Sequence, residues 1–333
     1  MVEKKLGYNI RIKSEKVDVE VKREYFEIAK RADSAGIYYL VFPEFFARFD
    51  PNRLHVVPYM AAVAAITEHA KIGPDVLQVP LLHPKHIADI GSSMDIISEG
   101  RFVLPVGTGW VPSEFDNFGV PFKERGKRTD ESLDIIIKLW TQPSIAEYNG
   151  KFFKFRNICS PPCVQKPHVP IWVGGASNAA LRRTAQYGNE WAASIWWSPQ
   201  KTTTEEEWNI MERLEKLKEY CKQFKRELVL GRAPNEPKEV GYNVRVNLNI
   251  NPDKEKAVEE VQHFWVDVRK GRTQGGGSLE MKLRYAAVGN AEKVIERIEE
   301  LYKTGAYMVV LYPLSTDSMT QWKRVEEEVI PSL

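Results

Sequence analysis

Three glycine-bearing segments and a few polar side chains carry most of the chemistry this sequence offers. Gly174-Gly175-Ala176-Ser177-Asn178 follows the apolar run Ile171-Trp172-Val173 and opens a helical pattern. Small residues there let backbone amides approach a ligand, and a helix N-terminus adds positive potential, so the segment suits a phosphate. The same residues also suit a tight turn in which Ser177 or Asn178 only caps the helix. Gly107-Thr108-Gly109-Trp110 permits a second close approach, with an indole available for stacking. Gly73-Pro74-Asp75-Val76 sets a proline inside a strand-like run, where it removes a ladder donor. A bulge or an unusual peptide geometry beside a ligand would account for it.

Glu44, Asn9 and Asn249 fall near the ends of strand-like runs and are the predicted catalytic contacts; an internal polar network is the alternative. Phe45, Phe46, Trp196, Trp197 and Asn247 are the predicted substrate pocket, the aromatics keeping it dry, with ordinary aromatic packing as the alternative. Arg245 lies deeper and is expected to pair with a buried acid. The six histidines form no cluster with acids at metal-ligand spacing, and Cys159, Cys163 and Cys221 are irregularly placed. Neither a protein-bound metal nor a disulfide framework is expected.

These residues need a frame, and strand-like segments alternate with helical ones from end to end. That pattern yields a parallel sheet with crossover helices. Strands are predicted at 6–12, 38–44, 71–79, 101–109, 170–175, 191–197, 243–250 and 307–312. Helices are predicted at 19–34, 55–69, from 83, 124–140, 178–187, 204–224, from 253, 291–303 and from 318. Strand seven alternates strictly, with Val244, Val246, Leu248 and Ile250 on one face and Asn243, Arg245, Asn247 and Asn249 on the other. In a barrel the apolar face meets the helices and the polar face points inward. The first strand lacks a G-x-G-x-x-G turn, which counts against a doubly wound open sheet. The fold class is therefore α/β, a single (β/α)8 TIM barrel over residues 1–333 with insertions after strands four and seven. The first covers about 141–169 and contains a hairpin; the second is a mobile loop at about 269–288, whose Gly-rich part, Arg269 to Ser278, is a candidate lid. Sites in such barrels form at the C-terminal ends of the strands, where the glycine segments fall.

The run Glu99-Gly100-Arg101-Phe102-Val103-Leu104-Pro105-Val106-Gly107-Thr108-Gly109-Trp110 is followed by Glu114-Phe115, Phe118-Gly119-Val120-Pro121-Phe122 and Arg125-Gly126-Lys127-Arg128. Pro167 to Gly175, Ala180-Leu181-Arg182-Arg183 and, upstream, Val79 to Pro84 keep compatible order and spacing. Together they resemble the luciferase-like flavin-dependent oxidoreductases, a group that includes bacterial luciferase, alkanesulfonate monooxygenase and F420-dependent reductases. The resemblance runs from about residue 5 to 313. It implies a barrel holding reduced FMN or F420 at its C-terminal mouth, with the cofactor phosphate at Gly174 to Asn178. Pro74, Asp75 and Gly107 to Trp110 would be further cofactor contacts, and a non-prolyl cis peptide is implied at Pro74-Asp75. A two-component monooxygenase acting on a small organic substrate, fed by a separate flavin reductase, is the main reading. An F420-dependent hydride-transferring enzyme, favoured by a basic groove near Arg182 and Arg183, and a non-catalytic flavin-binding protein are the alternatives. Luciferase-type monooxygenases show Glu-His-His at the end of strand two, and deazaflavin-dependent members an Asp-His pair nearby, where this chain reads Glu44-Phe45-Phe46. Bacterial luciferase has a cysteine and an arginine where Gly107 and Thr108 stand. A luciferase reaction proper is therefore not expected. A homodimer is implied by analogy.

With 47 basic and 45 acidic residues interspersed, the net charge of +2 gives no electrostatic case for nucleic acid or an anionic membrane. No apolar run approaches the roughly 20 residues of a membrane span, and Met1 to Lys5 lead straight into the first strand, so the chain reads as cytoplasmic.

Overall fold

The computed structural model describes residues 3–10, 18–44, 54–194, 210–266 and 279–333. In chain order the strands are β1 (Lys5–Asn9), β2 (Tyr39–Pro43), β3 (Lys71–Asp75), β4 (Leu77–Gln78), β5 (Leu104–Gly107), β6 (Ile145–Asn149), β7 (Lys154–Ile158), β8 (Ile171–Gly174), β9 (Glu190–Ser194), β10 (Glu227–Leu228), β11 (Glu239–Ile250), β12 (Ala287–Gly289) and β13 (Met308–Pro313). The helices are α1 (Val19–Ser34), α2 (Val56–Ala64), α3 (Pro84–Ile97), α4 (Pro112–Asn117), α5 (Arg125–Thr141), α6 (Asn178–Tyr187), α7 (Ile210–Gln223), α8 (Lys254–Val266), α9 (Leu279–Arg284), α10 (Ala291–Lys303) and α11 (Ser318–Arg324).

All pairings around the main sheet are parallel. β1 lies between β13 and β2, β2 pairs β3, β4 pairs β5, and β5, β8, β9, β11 and β13 follow in turn. β3 and β4 are the two halves of one strand, interrupted at Asp75-Val76, where the peptide is cis. Because the halves pair opposite neighbours, and Ile72 also bridges Phe102, the ring closes. The expected (β/α)8 barrel is the observed architecture. The expected strand at 71–79 is not continuous, however, since Val79 already belongs to a 3-10 turn.

The helices form where the patterning places them. Asp18 caps α1 by accepting from the N–H groups of Glu20 and Val21. α10 buries Val294, Ile298, Leu301 and Tyr302, one stripe of a 3.6-residue period. The alternation of strand seven holds: Val244, Val246, Leu248 and Ile250 join the large core between sheet and helices. A separate cluster, Tyr39, Val41, Val103, Trp172, Tyr307, Met308 and Val310, fills the barrel interior.

The stretch at 141–169 contains the antiparallel β6–β7 hairpin, pinned to α5 because Glu131 accepts from the N–H groups of Phe152 and Phe153. Residues 269–278 lie outside the described residues. The rest of the loop expected at 269–288 is ordered structure instead: Leu279–Arg284 is helical, and β12 pairs the end of β11 because its backbone groups find a ladder there. No helix among the described residues is long and apolar enough to cross a membrane.

The strand β3 is anchored by a side chain from another element. Asp33, at the end of α1, accepts from the backbone N–H groups of Glu68, His69 and Ala70 at 2.7, 3.0 and 2.7 Å. Removing a charged acceptor that serves several donors costs about 2–3 kcal/mol. Asp33→Ala should therefore lower the urea-unfolding free energy by about that amount, with Asp33→Asn recovering part of it. A change below about 0.5 kcal/mol would contradict this role for Asp33.

Candidate active site at the barrel mouth

The C-terminal ends of β3/β4, β5 and β8 converge on Val76. A Cβ built on Gly107 would lie 2.4 Å from Val76 Cγ2, and one on Gly174 would lie 3.3 Å from Cγ1. Gly107 thus makes room for the Val76 side chain and Gly174 eases its fit; the peptide at Asp75-Val76 is cis. The non-prolyl cis peptide implied by the sequence is present, one residue later than the expected Pro74-Asp75. The difference lies in which residue leaves the ladder: Pro74 still pairs Phe42 and Asp75 pairs Pro43, so the register with β2 runs through both.

Just beyond β8, Gly175 adopts φ +98°, a conformation that side-chain-bearing residues rarely take. Trp191 Nε1 donates to Gly175 O at 2.8 Å and fixes the turn. Ser177 caps α6 by accepting from the Ala180 N–H at 3.2 Å. The remaining first-turn N–H groups of a helix have no partner within it. Arg213 of α7 donates to Asn178 Oδ1 at 3.4 Å, which brings a cation to the same turn.

Across the mouth, Glu44 follows β2 and is buried. Its Oε2 accepts from the Gln78 backbone N–H at 3.0 Å, while Gln78 Nε2 donates to Glu114 Oε2 at 3.0 Å. Burial pushes the Glu44 carboxyl up to about 8; the Gln78 N–H works against this and the negative Glu114 adds to it. Glu44 also borders a cavity of about 320 Å³ shared with His55, Val57, Leu77, Leu82, His86, Asp89 and Ile90. Gln78 sits under Gly109, whose φ is +71° and where a Cβ would lie 2.6 Å from Gln78 Oε1.

A model of the luciferase-like monooxygenase family matches residues 7–308, most of this barrel. The chain belongs to that family. An FMNH(2)-dependent dimethylsulfone monooxygenase of Pseudomonas putida is 31% identical over 182 residues, 52% of this chain and 48% of the relative. The oxygenase component of a flavin-dependent trigonelline monooxygenase of Acinetobacter baylyi is 28% identical over 171 residues, 49% and 46% of the two chains. Among solved structures, an F420-dependent secondary alcohol dehydrogenase superposes with a TM-score of 0.78 at 16% identity, covering 98% of each chain. The chain spans about half the length of the curated relatives it matches, from 38% to 62%.

On this luciferase-like frame the predicted residues separate into groups. Gly107 and Gly174 come together at Val76, and Gly109 meets Gln78. Thr108 is half-buried and Trp110 exposed on the rim. Gly174, Gly175, Ala176, Ser177 and Asn178 form the turn into α6, so Ser177 does serve as a cap. Pro74 O accepts from Tyr39 Oη at 3.4 Å inside the barrel. Asp75 is committed inward: Arg245 Nη1 donates to its Oδ2 at 2.7 Å, and Arg245 Nε donates to Ser194 Oγ at 2.7 Å. That is the acid expected for Arg245.

Asn9 is buried at the end of β1, its Nδ2 donating to Val41 O at 3.5 Å. Asn249 is enclosed, donating to Glu260 Oε2 at 2.9 Å and Leu314 O at 3.0 Å, so its amide is tied to α8 and to the segment after β13. Asn247 is half-buried on β11. Phe45, Phe46, Trp196 and Trp197 lie outside the described residues. The basic groove considered at Arg182 and Arg183 is not formed, because Arg183 is buried and donates to Asp130 Oδ1 at 2.6 Å and to Gly126 O at 3.2 Å. Arg182 packs over the Phe224 ring.

Gln78, Glu114 and Arg213 were not singled out from sequence. Gln78 did leave a signal, as the one polar residue in Val76-Leu77-Gln78-Val79-Pro80-Leu81-Leu82. Arg213, on a polar helix, left none.

The raised Glu44 carboxyl has a consequence for stability. Its favourable contribution is complete below the ordinary carboxylate range and is lost as pH rises through about 8. Between about pH 5 and pH 9, the melting temperature of the wild type should fall more steeply than that of Glu44→Gln, so the variant gains relative stability with pH. Parallel curves for the two proteins would refute the assignment.

Proposed function

We propose that the chain is a flavin-dependent monooxygenase that uses reduced FMN and oxygen on a small organic substrate. The family match over residues 7–308 carries this reading. The residues at the mouth fit a phosphate-bearing flavin. The β8–α6 turn offers a positive-φ glycine, Cβ-free backbone at Gly174 and Gly175, the helix's open N–H groups and the nearby Arg213 guanidinium. Gly174 to Asn178 with Arg213 would hold the phosphate, and Gly107, Thr108, Gly109 and Trp110 would border the ring. Pro74 and Asp75 shape the floor behind it, Asp75 through its pairing with Arg245.

When bound, reduced FMN supplies the electrons for oxygen activation. The protein's share is to orient the reactants, exclude water and manage protons. The aromatics Phe45, Phe46, Trp196 and Trp197, with Asn247, are read as the substrate pocket, and Asn9 and Asn249 as polar supports of the mouth. The reading implies a separate flavin reductase, a cytoplasmic setting, one barrel domain and a homodimeric assembly. No protein-bound metal enters it. The F420 alternative, with its acidic cofactor tail, is weakened by the commitment of Arg183 to Asp130.

Anaerobic titration tests the proposal directly. Reduced FMN should bind more tightly than reduced riboflavin, which lacks the phosphate, and F420 should bind weakly. Arg213→Ala should weaken FMN binding by about tenfold, the value of one charge-assisted contact, and leave riboflavin binding unchanged. Equal affinity for FMN and riboflavin would remove the phosphate site, and a clear preference for F420 would overturn the cofactor assignment.

A further inference from the structure

Glu44, Gln78 and Glu114 are each at least nine-tenths buried. One residue joins them, Gln78, through its backbone to Glu44 and through its side chain to Glu114. Two oxygens of this cluster, Gln78 Oε1 and Glu114 Oε1, are buried and have no donor among the described residues. Buried acceptors are normally satisfied, and two carboxyl groups held by one glutamine away from water are costly as two anions, which favours a proton within the cluster.

Glu44 is the member with a route outward. Of the three, only Glu44 borders the cavity between α2 and α3. Glu114 faces it across Gln78, His55 from the start of α2, and His86 and Asp89 from α3. Asp89 is itself engaged by Lys85 and by Ser160 Oγ.

We propose that Glu44 is the acid–base group of the barrel mouth, with Gln78 and Glu114 as the positioning residues that hold it ready. The inference rests on the flavin reading above. In the step, the Glu44 O–H bond breaks and its proton passes to the oxygen atom that takes electrons from reduced flavin. The bonding pair stays on Glu44 as a carboxylate, which the Gln78 N–H then stabilises. A proton taken up from bulk solvent and relayed through the cavity restores the acid, replacing the one given to the oxygen.

Two measurements decide the matter. The first is infrared titration of the apoprotein, which needs no cofactor. A protonated-carboxyl component titrating near pH 8 should be present in the wild type, be lost in Glu44→Gln and move to lower pH in Glu114→Gln, while the buried Glu190 carboxyl, pushed up to about 7, gives a separate component that all three proteins keep. The second is oxygen-dependent oxidation of bound reduced FMN across pH. Glu44→Gln should slow it by roughly 100-fold and flatten the profile, Glu44→Asp should recover part of the rate, and Glu114→Gln should lower the rate several-fold while moving the alkaline limb to lower pH. A wild-type rate and profile in Glu44→Gln, or a component near pH 8 that persists in that variant, would overturn the proposal. If reduced FMN does not bind at all, the flavin reading fails, while the infrared titration still decides where the proton lies.

Discussion

The site depends on how one strand divides its backbone hydrogen bonds. β3 gives its ladder to β2, and after the cis peptide at Asp75-Val76, β4 gives its ladder to β5. A closed parallel barrel leaves no edge, so every strand must serve two neighbours. Here the third strand does so by halves, and the interruption turns Val76 toward β5 and β8. A Cβ at 107 would collide with it, and one at 174 would crowd it. The same interruption sets Gln78 where its backbone reaches Glu44 and its amide reaches Glu114. Barrel closure and the polar arrangement at the mouth are thus one geometrical event.

Inside the ring, polar groups are tolerated because they are matched. Glu190, on the floor, accepts from Tyr307 Oη at 2.7 Å and Asn243 Nδ2 at 2.5 Å, and burial pushes its carboxyl up to about 7. Nearer the mouth, Arg245 satisfies Asp75 and lies over the Tyr312 ring. An unpaired charge in such a place would cost several kcal/mol, so pairing is a condition of the barrel's stability. The Gln78–Glu114 pair differs from both, with two oxygens left over.

Much of this was legible from the chain. The bounds of α1, α6 and α10 coincide with the helices expected at 19–34, 178–187 and 291–303, because each starts at a side-chain cap and buries one face. The inward polar face of strand seven followed from period-two alternation. The glycine segments pointed to the mouth because the absence of a Cβ is a local property. Less legible were the exact cis bond, the fate of Asp75 and Arg183, and the ordered part of 279–289. Each depends on a partner far away in sequence: Arg245 for Asp75, Asp130 for Arg183 and β11 for β12.

By itself, then, the sequence determined the alternation of strands and helices, the family resemblance, and the glycines at the strand ends, since periodicity, capping and backbone freedom are written residue by residue. Only the tertiary structure decided that Glu44, Gln78 and Glu114 meet, that Arg213 stands at the phosphate-like turn, and that Arg183 is paired with Asp130. Burial and pairing are properties of surroundings. A carboxylate's proton affinity depends on what excludes water from it and which donors reach it, and those neighbours are assembled only when the barrel closes.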